Sequence, residues 1–324
     1  MYAEYYKLKA MPFQLTPDCQ FFFDSHEHKR ALAHLAYGLA QEEGFIVITG
    51  EIGAGKTMLV ERLWSELDTQ RFLAVRVLTT QISGDDLLHM VADGFGLRIE
   101  QADKVTLLRR LEQLFAETQL AGKRCLLVID EAQNLSTVAL EELRMLSNLT
   151  VHGKAPFQGV LLGQPQFRQM LADAVLEQLQ QRVLASYHLG PLGAPETRDY
   201  VQHRLATAGW AGDPSFEDSA FAAIHRYSVG IPRKINTLCS RVLLAGYLDE
   251  IHHITEEMVE SVADELGRDL AAGQPVSTRP SAQGNGISPT LDDRLRSIED
   301  ALARHDRAIK LTLKLTAQLI EAQR

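Results

Sequence analysis

The sequence predicts an α/β fold, a parallel sheet flanked by helices, followed by an all-helical region and a separate helical tail. Three observations predict it. From residue 44 to residue 190, apolar runs that read as buried strands alternate with helical spacing, and such alternation makes a parallel sheet covered on both faces. A glycine-rich turn joins the first of these runs to a helix. After Pro191 the alternation stops, and only helical spacing is read as far as residue 267.

Residues 1–43 form an aromatic-rich N-terminal segment that ends in a helical pattern carrying Leu32, Leu35 and Leu39. Within residues 44–190, strands are expected at Gly44–Gly50, Phe72–Leu78, Cys125–Ile129, Gly159–Leu162 and Val183–Leu189. Helices are expected at Met58–Leu67, Asp85–Phe95, Val105–Leu120 and Val138–Leu149, with shorter ones across Phe167–Gln181. The uninterrupted apolar run at Cys125–Ile129 suits a central parallel strand. Residues 191–267 read as a lid built of helices at Thr197–Ala208, Asp218–Tyr227, Arg233–Leu248 and Glu256–Leu266. Residues 268–290 are rich in Pro, Gly and Ser and read as a flexible linker. In residues 291–324 the helical spacing of Leu291, Leu295, Ile298, Leu302 and Ile309 resumes. A coiled-coil seam and an amphipathic helix docking on its own protein both fit that pattern.

Charge narrows the function. Residues 1–267 carry 24 Lys and Arg against 35 Asp and Glu, a difference of −11. Coating nucleic acid needs a concentrated basic face instead, so nucleic acid is not expected as the main partner. Cys19, Cys125 and Cys239 are far apart and lack metal-site spacing, which reads as reduced thiols in a cytoplasmic protein. The N-terminus has no signal-peptide pattern, and no apolar run approaches the roughly 20 residues that span a bilayer. Any attachment at the inner membrane is therefore expected through partners.

The chemistry concentrates in two motifs. Gly50, Glu51, Ile52, Gly53, Ala54, Gly55, Lys56 and Thr57 spell the phosphate-binding loop pattern between a strand and a helix. The glycines let backbone N–H groups turn towards phosphate oxygens, and the helix N-terminus adds its positive end. Lys56 would neutralise the β- and γ-phosphates of ATP, and the Thr57 hydroxyl would ligate Mg²⁺. Leu126–Ile129 then delivers Asp130 and Glu131 to a strand's C-terminal end, where open α/β sheets bind ligands. Asp130 is expected in the Mg²⁺ shell and Glu131 as the base that orients or deprotonates the attacking water.

Three further residues are candidates. Gln164, after the strand Gly159–Leu162, would position that water or satisfy loop backbone. Arg182, just before Val183–Leu189, would reach a neighbouring subunit's nucleotide as an arginine finger or cap a helix C-terminus; Arg168 is a second candidate finger. Arg233, in Gly230-Ile231-Pro232-Arg233, is a cation at a helix start, which suits a phosphate sensor. The pairs His26/His28 and His252/His253 read as surface or packing residues, with no carboxylate or Cys completing a metal site.

With these residues in place, the sequence resembles the ExeA-like branch of AAA+ P-loop ATPases. Within it, the nearest likeness is to the ATPase associated with exosortase (PEP-CTERM sorting) and exopolysaccharide export in bacteria. The resemblance covers roughly residues 1–267. It rests on MYAEYYKLKAMPFQLTPD, GFIVITGEIGAGKT, LLVIDEAQNL, Gly163–Pro165, Gln180–Val183 and GIPRKIN. It implies Mg-dependent ATP hydrolysis, self-association with shared active sites, and service to an envelope sorting, export or secretion system. It also implies that Phe13, Thr16 and Pro17 border the adenine pocket. ExeA-type ATPases continue into a transmembrane segment and a peptidoglycan-binding domain, whereas here a linker and a helix follow, which favours the exosortase-linked reading. A DNA-associated AAA+ ATPase and a nucleotide-gated scaffold with little turnover are the alternatives.

Overall fold

Burial decides the centre of the sheet. Every residue of β1 (Phe45–Gly50) is buried, and so is every residue of β4 (Phe157–Gly163). In β3 (Arg124–Asp130) only Arg124 is partly exposed. Such strands stay buried only when both faces of a sheet are covered. The computed structural model describes residues 2–78, 84–97, 103–151, 153 and 155–272. Among these residues the main sheet has the order β2-β3-β4-β1-β5, with β2 (Phe72–Leu78) and β5 (Val183–Leu189) at its edges. All its pairings are parallel. Two strand positions therefore separate β1 from β3, with β4 between them.

Alternation along each strand sorts the side chains into two layers. Phe45, Val47, Leu127, Ile129, Phe157 and Leu161 face one layer. That layer is covered by α4 (Gly84–Gly94), α5 (Lys104–Leu120), α6 (Thr137–Ser147), α7 (Pro165–Leu171) and α8 (Glu177–Gln180). Ile46, Ile48, Leu126, Val128, Val160 and Leu162 face the other. There they meet Leu35 of α2 (His26–Gln41) and Leu59 and Leu63 of α3 (Lys56–Glu66). Polar caps set where helices begin: Ser25 accepts from the His28 N–H at 3.2 Å, and Ser136 from the Ala139 N–H at 3.1 Å.

The helical region has its own core. It consists of α9 (Ala194–Thr207), α10 (Asp218–Ser228), α11 (Pro232–Leu248) and α12 (Glu256–Ala272). Their apolar faces enclose Val201, Leu205, Phe221, Ile224, Leu238, Val242 and Val259. Three expectations change here. The region is not purely helical, because Ser215–Phe216 (β6) and His253–Ile254 (β7) pair in parallel. Two residues are too few to show a period-two pattern. Its core is also completed from outside, by Tyr2, Tyr6, Leu8 and Phe13, with a short helix α1 (Tyr2–Tyr5) packed on α11. The N-terminal segment is thus shared: its first residues serve the helical core, and α2 serves the sheet. Finally, α12 runs through residues 268–272, where no Pro or Gly interrupts it. The rest of the expected linker and the tail at 291–324 lie outside the described residues.

One close approach shows how tightly the sheet centre is packed. A Cβ on Gly159 would sit 2.4 Å from the Phe45 ring. Both residues are interior, and overpacking a core generally costs about 1–3 kcal/mol. Gly159→Val should lower the free energy of urea unfolding by about that amount. An unchanged midpoint would show that the β1–β4 contact is looser than described.

Candidate nucleotide-binding site

The loop that leaves β1 is shaped by its glycines. Gly53 and Gly55 have φ of +84° and +104°, a region that glycine enters without penalty. Space forbids a side chain as well. A Cβ on Gly53 would lie 2.3 Å from the Cβ of Arg233, and one on Gly55 would lie 2.6 Å from His28 Nε2. The loop runs into the N-terminus of α3, whose N–H groups and dipole favour an anion. Lys56 begins that helix, buried, with Nζ donating to the carbonyls of Gly50 at 2.7 Å and Glu51 at 3.0 Å. Burial pulls its pKa down, while Glu131, Asp130 and Glu51 pull it up.

Register brings the carboxylates to the same edge. Thr49 of β1 pairs with Gly163, and Ile129 of β3 pairs with Leu161, so the ends of β1, β3 and β4 emerge together. Asp130 is buried at the end of β3 and accepts a 3.0 Å hydrogen bond from Arg76 of β2. The same guanidinium also donates to Glu61 of α3. Glu131 stands with φ of 56°, its N–H donating to Asp130 Oδ1 at 3.0 Å. Two amides donate to Glu131 Oε2: Gln133 Nε2 at 2.6 Å and Gln164 Nε2 at 3.1 Å.

Between these groups and the helical region lies a cleft of about 300 Å³. Gly53, Gly55, Lys56, Thr57 and Glu131 form one wall. Thr16 and Pro17 lie on the N-terminal wall with Phe21, Phe22 and Phe23, and Arg233, Tyr200, Arg204 and Asn236 come from the helical region. The opposing walls are joined directly, because the Arg233 N–H donates to the Gly53 carbonyl at 3.1 Å. Arg204 is fixed over the Phe21 ring at 5.0 Å and donates to the Tyr200 hydroxyl at 3.0 Å.

The donor set fits Mg²⁺ together with a nucleotide. Thr57, Asp130 and Glu131 offer oxygen, which Mg²⁺ prefers, and that ion is typically bound by one or two carboxylates plus substrate phosphates. Among the described residues, no cluster of three His, Cys, Asp or Glu would hold a metal by itself.

Some expected residues stand elsewhere. Arg182 is not on the cleft. It donates to Asn148 and to the Ser147 carbonyl at the C-terminal end of α6. The β5 strand it precedes pairs Val183 with Phe45, which puts Arg182 at the sheet edge opposite the glycine loop. Arg168 is exposed on α7 and is likewise off the cleft. Phe13 lies inside the helical core and does not line the cleft, since its ring completes that core's packing. His252 and His253 do meet carboxylates, with Asp213 at 2.7 Å and Glu217 at 3.0 Å.

Three contributors escaped the sequence reading. Gln133 lies two residues beyond Glu131, inside the stretch LLVIDEAQNL, with no chemistry of its own to mark it. Arg76 left a signal, as the single charge inside the run Phe72–Leu78. His28 reads from the sequence as a surface or packing residue, and what it packs against is the glycine loop itself.

This fold and site define an AAA+ P-loop nucleotide-binding architecture, a parallel sheet with a helical C-terminal region. Residues 39–171 match the family model described as an AAA domain. The chain is 39% identical over 268 residues to General secretion pathway protein A of Aeromonas hydrophila, covering 82% of this chain and 48% of that protein. It is 27% identical over 198 residues to an uncharacterized HTH-type transcriptional regulator of Methanocaldococcus jannaschii, covering 59% of this chain and 45% of that one. The chain therefore spans about half the length of the curated relatives it matches. Among solved structures, Cdc6p of Pyrobaculum aerophilum superposes with a TM-score of 0.59 at 16% identity, covering 80% of this chain and 75% of that one. The ORC2 protein of Aeropyrum pernix gives 0.58 at 13%, covering 79% and 72%. These two likenesses establish the fold and nothing narrower. No helix among the described residues is long and apolar enough to cross a membrane.

Burial holds the His28 pKa below its ordinary value of 6.5, against the opposing pull of Asp24, Glu196 and Glu27. As pH falls below that value, the unfolded chain takes up the proton first, so stability is lost from there down towards the folded-state pKa. Gln at this position does not titrate. The melting-temperature advantage of wild type over His28→Gln should shrink between about pH 8 and about pH 5.5. A gap that stays constant would contradict the buried, neutral imidazole.

Proposed function

We propose that the chain is a Mg-dependent ATPase that works in a bacterial envelope secretion, sorting or polymer-export system. The observation that carries the catalytic half is Glu131, held by two amides at the mouth of a cleft that also presents the glycine loop and Lys56. Backbone N–H groups of Gly53–Thr57 would hold the phosphates, and Lys56 would neutralise them. Thr57 and Asp130 would hold Mg²⁺, which supplies positive charge to the phosphate oxygens when bound. Glu131 would take the proton of the attacking water, and Gln164 would orient that water. Arg233 would reach the phosphates from the helical region.

The biological half rests on likeness. The 39%-identical relative is named for general secretion, and the N-terminal aromatic stretch with GIPRKIN resembles the exosortase-linked branch. A cytoplasmic location with attachment through partners goes with that reading. Service to DNA has support from the 27%-identical relative described as an HTH-type transcriptional regulator and from fold-level neighbours, one of them an ORC bound to DNA, and the 35 acidic against 24 basic residues in residues 1–267 oppose it. We also propose a division at about residues 44–190 for the nucleotide core and 191–267 for the lid. Arg182 acts in trans on a neighbour's nucleotide in this reading, with its contacts to the α6 end keeping it extended.

Glu131→Gln should bind ATP normally and lose nearly all turnover, whereas Lys56→Ala should lose ATP affinity in a titration. Wild-type turnover by Glu131→Gln would remove the assigned base. For the shared site, Arg182→Ala should lose turnover, by up to about 10³–10⁵ for a full finger, and regain it when mixed with Lys56→Ala. Mixed oligomers with no regained activity would rule the role in trans out.

A further inference from the structure

Gln133 occupies a position that neither phosphate chemistry nor the fold demands. It lies two residues past Glu131, in the short turn Ala132–Asn134 between β3 and α6. Its Nε2 donates to Glu131 Oε2 at 2.6 Å. Its Oε1 accepts from the backbone N–H of Gln164, at the end of β4, at 2.9 Å. Gln164 closes the figure by donating its own Nε2 to the same Glu131 oxygen at 3.1 Å. One side-chain amide thus spans two strand ends and is fully specified by its partners. Flipping it would set an NH₂ against an N–H and a carbonyl oxygen against a carboxylate, and both contacts would repel.

We propose that Gln133 is a positioning residue for Glu131, tying the base to the end of β4 so that water activation depends on where that strand end sits. The inference rests on the ATPase reading and adds a residue to it. Glutamate has three side-chain torsions, and a carboxylate left to sample them spends little time aligned with an attacking water. The donor from Gln133, anchored in turn on strand backbone, removes that freedom. The left-handed backbone of Glu131, at φ 56°, already turns it away from the strand direction, so the amide fixes the side chain after the backbone has aimed it. Because Gln133 and Gln164 share both an oxygen of Glu131 and a hydrogen bond to one another, a displacement of the β4 end reaches the base through two contacts at once.

The two functions of the amide can be separated chemically. Gln133→Met keeps the length and loses both hydrogen bonds. Gln133→Glu keeps an acceptor for the Gln164 N–H but replaces the donor to Glu131 with a second anion. Steady-state ATPase assays on the purified full chain, with ATP titration and thermal melts, would read the result. For both variants kcat should fall by about 10- to 100-fold, the scale of a misplaced catalytic group, with ATP affinity unchanged. The melting temperature of Gln133→Met should stay near that of wild type. Near-normal kcat in Gln133→Glu with a slow Gln133→Met would overturn the proposal, since anchoring β4 would then suffice. Equal losses in kcat, affinity and melting temperature would overturn it too, because the residue would be merely structural. Glu131→Gln is the control: if wild type turns over ATP, Glu131→Gln does not, and both Gln133 variants match wild type, the inference fails while the ATPase reading stands. If wild type and Glu131→Gln have the same turnover, the ATPase reading itself fails.

Discussion

Three buried parallel strands set the edge at which the glycine loop, Asp130 and Glu131 emerge. Along most of their lengths β1, β3 and β4 carry apolar side chains, and their register brings Gly50, Asp130 and Gly163 out at one edge. Because side chains alternate, a slip of one residue would turn Ile46 and Ile48 to the opposite layer from Leu35 and Leu59. Both layers are apolar, so what opposes that slip is the fit of particular side chains, such as the Phe45 ring against Gly159. The alignment of the glycine loop with Asp130 and Glu131 is therefore rooted in core packing.

The helical region is bound into this arrangement at several points. Arg233 donates its backbone N–H to Gly53, and the missing side chain of Gly53 is what lets α11 come so close. Elsewhere, Glu27 of α2 accepts from Gly190 at 3.0 Å, and Glu196 of α9 accepts from the first N–H of α2 at 2.7 Å. The N-terminal residues Tyr2, Tyr6 and Phe13 seal the helical core from below. Residues far apart in sequence thus build the walls of one cleft, between the glycine loop and the helical region.

Local chemistry made part of this legible. The glycine loop, Asp130 and Glu131 are readable because each needs a particular residue type at a fixed spacing beside a strand end. The alternation of strand and helix showed in the same way, and the positions of β1 to β5 followed from apolar runs. What escaped depends on pairs distant in sequence. Nothing in Tyr2–Phe13 says that it belongs with α11, and a two-residue strand leaves no periodicity. The contact between His28 and Gly55 spans 27 positions. Arg182 illustrates the same limit: position suggests a cap for the helix it follows or a finger, and its hydrogen bonds run instead to the end of α6, remote in sequence. Gln133 is adjacent to a readable motif, yet its importance comes from Gln164, a residue on another strand.

The central claim is that one nucleotide site is closed jointly by the glycine loop and the start of α11. Hydrogen–deuterium exchange of the full chain, with and without Mg-ATP, tests it most directly, using Glu131→Gln to prevent turnover. The account predicts slowed exchange in two separate stretches together, residues 50–58 and residues 231–236, with strand cores unchanged. Protection of the glycine loop alone, or of neither stretch, would contradict it.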